Sequence, residues 1–122
     1  MNSALIISTY NWPEALELVL KSVRTQKVYP DEVIIADDGS TDETKKLINK
    51  NQKDFPVPIK HFWHQDKGFR KSQILNLAIA NSNADYIIQI DGDCILDKFF
   101  IKDHLHSVRE NTYLFGSRVN IN

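Results

Sequence analysis

Short runs of consecutive apolar residues alternate along this chain with stretches whose apolar positions recur at helical spacing. A first apolar run covers Ala4 to Ser8, and Leu16, Val19, Leu20 and Val23 follow at i, i+3, i+4 and i+7, one face of a helix. Asn11, Pro13 and Glu14 carry helix-start signals: a capping-type side chain, an early proline and an acid in the first turn. Tyr29-Pro30-Asp31 reads as a turn, and Val33 to Ala36 as the second strand. Ser40 and Glu43 form the S-x-x-E pattern of a capping box, which predicts a helix to about Asn51 that buries Leu47 and Ile48. Phe55-Pro56-Val57-Pro58 interrupts the chain before a third strand from Ile59 to Trp63. A helix over Ser72 to Ser82 carries Leu75, Ala78 and Ile79 on one side, and Tyr86 to Ile90 reads as the fourth strand. Phe100, Ile101, Leu105 and Val108 predict another amphipathic helix, and Tyr113 to Val119 a last strand.

The predicted order is β-α-β-α-β-α-β-α-β, with no internal repeat. Leu5-Ile6-Ile7 and Val33-Ile34-Ile35 are apolar throughout, as expected where helices cover both faces of a parallel sheet. The fold class is therefore α/β: an open, mostly parallel sheet with helices on both faces. Ligands of such sheets bind outside the carboxyl ends of the strands, which is where chemistry is to be sought.

Composition narrows the function classes. The 122 residues suit a single domain over 1–122, with ordinary globular proportions of 42% apolar and 25% charged residues. A net charge of -1 offers no broad basic face, so nucleic acid is disfavoured as a partner. Cys94 stands alone and forms no internal disulfide, which suits a reducing compartment. No apolar run approaches the about 20 residues of a membrane span. Met1-Asn2-Ser3-Ala4 lacks the basic region and apolar stretch of a signal peptide. A cytoplasmic location is the expectation.

Three predicted strand ends are polar: Ser8-Thr9-Tyr10-Asn11, Asp37-Asp38-Gly39-Ser40 and Asp91-Gly92-Asp93. In a parallel sheet they share one edge, so four carboxylates converge, an arrangement that is costly unless a cation binds there. A hard divalent ion with oxygen ligands is the simplest candidate. Alone, Asp91-Gly92-Asp93 would read as a turn; beside a second acidic strand end it reads as a metal site, with Gly92 letting the chain turn and a phosphate approach. Of Asp37 and Asp38, one suits the following helix N-terminus and the other a ligand's N–H or hydroxyl. Tyr10 is placed either to stack on a base or to lie as a partly buried loop aromatic. Lys67, Arg70 and Lys71 face the same crevice and suit a diphosphate, with Arg70 the best bidentate donor. His61 and His64 lie three apart at a strand end and His104 and His106 two apart on a helix, spacings that suit no zinc site. Cys94 reads as a small buried residue.

Taken in order, Ile6-Ile7-Ser8-Thr9-Tyr10-Asn11, Val33 to Asp42, Gly68-Phe69-Arg70 leading to Asn76, and Asp91-Gly92-Asp93 resemble the family 2 glycosyltransferases, which have the GT-A fold. The resemblance runs across nearly the whole chain. It implies a transferase that uses a nucleotide-diphosphate sugar, usually a uridine diphosphate sugar, with Mn²⁺ or Mg²⁺ as cofactor. By matched position, Ser8 and Tyr10 would border the nucleobase, Asp38 would bond the uracil, and Arg70 or a neighbouring cation would lie near base or phosphates. Asp91 would face the ribose and the metal's water shell, and Asp93 would bind the metal. The resemblance implies a carbohydrate or lipid-linked acceptor, and with the latter a peripheral place at a membrane. In the family the catalytic base and most of the acceptor site lie beyond the D-x-D strand. This sequence reaches Asn122 shortly after it, so the chain is expected to be the donor-binding portion without the acceptor-binding half.

Two other classes are open on the same features. A nucleotidyltransferase also sets acids at strand ends, but normally carries a Gly-rich basic loop after the first strand, unlike Ser8-Thr9-Tyr10-Asn11-Trp12-Pro13. A non-catalytic Mg²⁺-binding module of the receiver type requires a phosphorylatable aspartate after the third strand, where His64-Gln65-Asp66 is a weak version.

Overall fold

In the computed structural model the described residues are 2–106 and 119–120. Four parallel strands, β1 (Ser3–Thr9), β2 (Glu32–Asp37), β3 (Ile59–Trp63) and β4 (Tyr86–Asp91), form a sheet in the order β3-β2-β1-β4. The helices between them are α1 (Pro13–Arg24), α2 (Asp42–Gln52) and α3 (Lys71–Ala80). After β4 come the two-residue β5 (Cys94–Ile95), α4 (Phe100–His106) and β6 (Val119–Asn120).

The unbroken apolar runs have the cause that the sequence suggests. Side chains of a strand alternate between faces. Leu5 and Ile7 of β1 join Val33, Ile35, Leu16, Leu20, Ile48 and Ile101 in one buried cluster, against α1, α2 and α4. Ala4 and Ile6 join Ile34, Ala36, Ile74 and Ala78 in a second cluster, against α3. Both faces of the central strands are thus covered, and a polar residue at any of these positions would lie in a dry interior.

Both predicted caps are replaced by something else. Helix α1 has Trp12 at its N-cap position and α2 has Thr41, neither with a side-chain capping bond. Asn11, at φ 45°, instead accepts a bond from Thr41 N–H through Oδ1 at 2.8 Å. Ser40 Oγ accepts one from Asn11 N–H, also at 2.8 Å. The capping-type side chains therefore tie the β1 and β2 loops to each other, and with Thr41 at the N-cap position Ser40 stands one residue too early for a box with Glu43.

Most of the last predicted strand, Tyr113 to Val119, lies outside the described residues. Val119 with Asn120 pairs antiparallel with β5, so this end belongs to a small separate ribbon and not to the parallel sheet. Strand β5 is too short to leave a periodic signature in the sequence.

Candidate functional site

Strand register sets the site. Thr9 pairs with Asp37 and Ser8 with Asp91, so the ends of β1, β2 and β4 finish level at one edge of the sheet. A cavity of about 410 Å³ opens there. Ser8, Tyr10, Asp38, Asp91 and Asp93 all line it.

Asp91 is held from two sides. Its Oδ1 accepts bonds from Ser8 Oγ at 3.1 Å and from Lys71 Nζ at 2.5 Å. Gly92 after it has no positive φ; a side chain there would put Cβ 2.6 Å from the Ser8 carbonyl oxygen. The glycine is therefore required by the close approach of β1, not by a left-handed turn. Asp91, Asp93 and Cys94 each offer a ligand atom, all within 4.8 Å of one another. Two of the three are carboxylate oxygens, the donors a hard divalent cation prefers, so the residues present fit such an ion.

The paired aspartates of β2 divide in role. Asp37, 1% exposed, uses its oxygens internally, accepting Ser40 N–H at 2.9 Å and bonding His61 Nε2 at 2.8 Å. It closes the β2–α2 turn. Asp38, 5% exposed, lies on the cavity, with Oδ1 2.5 Å from His64 Nε2 and Oδ2 accepting Arg70 N–H at 3.0 Å. His61 and His64, which the sequence leaves without a use, are thus the partners of the two aspartates on the neighbouring strand.

Arg70 is not brought to the cavity by its side chain. Its guanidinium bonds Gln73 Oε1 at 3.1 Å and the Gln65 carbonyl at 2.5 Å, folding back along its own loop. It occupies the N-cap position of α3, where its backbone amide is committed to Asp38. Lys67 is likewise absent from the cavity wall, and Lys71, first residue of α3, is the cation that lines it.

Trp12, Asp66 and Phe69 are among the wall residues to which the sequence reading gives no site role. Asp66 accepts the Tyr10 hydroxyl at 2.7 Å and Gly68 N–H at 3.2 Å. The bond to Asp66 holds the Tyr10 phenol above the ordinary tyrosine value. Gly39, at φ +92°, lets the same loop close in, since a Cβ there would lie 2.6 Å from the Asp66 backbone. The contact of Asp66 with Tyr10, 56 positions apart, leaves no local signal in the sequence.

The Glycosyl transferase family 2 model matches residues 4–122 of this chain. The chain belongs to glycosyltransferase family 2. Among curated relatives, the O-antigen chain rhamnosyltransferase RfbN of Salmonella typhimurium is 41% identical over 103 residues, covering 79% of this chain and 29% of that protein. Two solved structures share the fold. The mannosyltransferase PcManGT of Pyrobaculum calidifontis, in complex with GDP-Man and Mn²⁺, has a TM-score of 0.75 at 21% identity, over 85% of this chain and 31% of that one. S. aureus TarS 1-349, in complex with UDP-GlcNAc, has a TM-score of 0.70 at 25% identity, over 87% of this chain and 30% of that one. The GT-A-type α/β sheet expected from the sequence is therefore the fold of this glycosyltransferase family member. The chain spans less than a third of the length of the curated relatives it matches. Among the described residues no helix is long and apolar enough to cross a membrane.

Proposed function

We propose that residues 1–122 form the donor-binding portion of a glycosyltransferase that transfers sugar from a nucleotide diphosphate, most simply a uridine diphosphate sugar, to a carbohydrate or lipid-linked acceptor hydroxyl. The observation that carries this reading is the placement of Tyr10, Asp38 and the Asp91/Asp93 pair on one cavity, at the ends of the three neighbouring strands β1, β2 and β4. In this reading Tyr10 and Ser8 border the base, and Asp38 accepts a hydrogen bond from it. Lys71 takes the place first given to Arg70, because its ammonium reaches the cavity wall and meets the diphosphate charge. Asp93 and Asp91 hold Mn²⁺ or Mg²⁺, which supplies Lewis-acid stabilisation of the departing diphosphate when bound. Among the described residues the carboxylates on the cavity wall are Asp38, Asp66, Asp91 and Asp93, and each is given to donor, loop or cation in this reading. None of these four is left in this reading to deprotonate the acceptor.

Calorimetric titration of the chain with UDP, ADP and GDP, with and without Mn²⁺, tests the reading. Metal-dependent binding of a nucleotide that is lost in Asp93→Ala is expected. A folded sample that binds none of them would overturn it.

A further inference from the structure

The two histidines at the end of β3 grip the two aspartates at the end of β2, but only one of those pairs opens onto the cavity. Asp37 is closed off, its oxygens taken by Ser40 N–H and His61. Asp38 has the same kind of support, from His64 Nε2 and Arg70 N–H, yet forms part of the cavity wall. We propose that His64 is a positioning residue that fixes Asp38 as an acceptor-only surface, so that the cavity selects a nucleobase presenting a ring N–H and refuses one presenting a bare ring nitrogen. This rests on the donor-site reading above.

The argument starts with which atoms can donate. A backbone N–H donates only, so Oδ2 of Asp38 is an acceptor toward Arg70. With the carboxylate ionised, the contact at Oδ1 requires the proton to sit on His64 Nε2. A carboxylate has about four acceptor positions, and these two donors occupy two of them. They arrive from different segments, the end of β3 and the start of α3, so the plane of the carboxylate is set before any ligand enters. What remains of the carboxylate for a ligand is lone pairs.

Uracil and guanine carry a ring N–H on the edge that such a surface would read. Cytosine and adenine carry a ring nitrogen lone pair at the corresponding position, which a fixed carboxylate repels. A buried hydrogen-bonding group left without its partner discriminates strongly, more than a change of shape in an apolar pocket does. His64 touches no base in this scheme. It acts by denying Asp38 the rotation that would relieve the mismatch.

The test is the ratio of affinities within two matched pairs, UDP against CDP and GDP against ADP, measured calorimetrically with Mn²⁺ on the chain and its variants. The chain is expected to favour the ring N–H member of at least one pair by about tenfold or more. His64→Ala is expected to collapse that ratio, through weaker binding of the favoured nucleotide. His64→Gln, whose amide offers an N–H to Asp38, is expected to keep most of it. A folded His64→Ala protein with an unchanged ratio would overturn the proposal, as would the absence of any preference in the unmodified chain. Should His64→Ala not fold, Asp38→Asn provides the second measurement: it adds a donor at constant size, and an unaltered ratio there overturns the proposal equally. If the unmodified chain binds no nucleotide, the donor-site reading itself fails and this inference with it.

Discussion

The ammonium of Lys71 stands 2.5 Å from Oδ1 of Asp91, on the same oxygen that the Ser8 hydroxyl reaches. An internal cation thus already sits on a carboxylate assigned to a divalent ion. The two uses of that charge oppose each other: Lys71 repels a metal ion and attracts a diphosphate. Lys71→Met, which keeps the stem and removes the charge, is expected to weaken nucleoside diphosphate binding and to tighten Mn²⁺ binding in the nucleotide-free chain. Both groups are about one-third exposed, so screening limits each effect to about 1 kcal/mol, roughly fivefold in affinity. Calorimetry with each ligand alone checks this; shifts of the same sign for both would contradict the arrangement.

Asn11 and Ser40 test the loop clamp in a way that needs no ligand. Ser40 Oγ accepts Asn11 N–H and Asn11 Oδ1 accepts Thr41 N–H, and both bonds join the segment after β1 to the segment after β2. Ser40→Ala should cost about 1 kcal/mol in urea denaturation, the typical net worth of such a bond, and Asn11→Ala more than that, since Asn11 sits at φ 45°, where alanine is disfavoured. Because both contacts serve one junction, the double variant should lose less than the sum of the single losses. Strict additivity would show that the two loops are held independently.

The same pair explains how far the sequence could be read. The sheet was legible because Leu5-Ile6-Ile7 and Val33-Ile34-Ile35 can be apolar on both faces only in a covered sheet. The site edge followed from it, since parallel strands finish on one side. Asn11 and Ser40 were readable only as local capping residues, because their true partners lie 29 and 30 positions away. Arg70 and Lys71 show the same limit at finer grain. Adjacent cations are equivalent in a sequence, and the N-cap geometry of α3 decides which one turns to the cavity. His64 carried no signal by itself either, because its meaning depends on Asp38 standing on the neighbouring strand.

Gly39 and Gly68 separate backbone strain from steric contact. Both have positive φ, +92° and +88°, but a Cβ on Gly39 would collide with the Asp66 backbone while one on Gly68 meets open space. Gly68→Ala should therefore cost only the left-handed conformation, about 1 kcal/mol. Gly39→Ala should cost about 3 kcal/mol, because a backbone atom cannot rotate aside as a side chain can. It should also displace the loop that carries Asp66 away from Tyr10. Comparison of denaturation midpoints decides the first point. Nuclear magnetic resonance titration of the Tyr10 phenol decides the second: its value should fall back toward the ordinary 10.0 in Gly39→Ala as the bond to Asp66 is lost.

The last prediction concerns the far side of the sheet, where α4 packs against the start of β4. His104 Nδ1 lies 3.2 Å from the Tyr86 hydroxyl, and its ring centroid is 4.6 Å from that of Phe100. Burial lowers the His104 pKa below the ordinary 6.5, with the charge of Asp103 acting in the opposite direction. The neutral ring is therefore the form the fold prefers. The unfolded chain takes up a proton near the ordinary value while the folded chain resists, so this contribution is intact above it and is lost as pH falls toward the lower folded value. Stability should decline between about pH 7 and pH 5, the range in which an ordinary histidine gains its charge. His104→Gln keeps a neutral polar group at the contact and removes the titration. It should flatten that part of the profile. Parallel profiles for the two proteins in urea denaturation would mean that His104 titrates alike in the folded and unfolded chains.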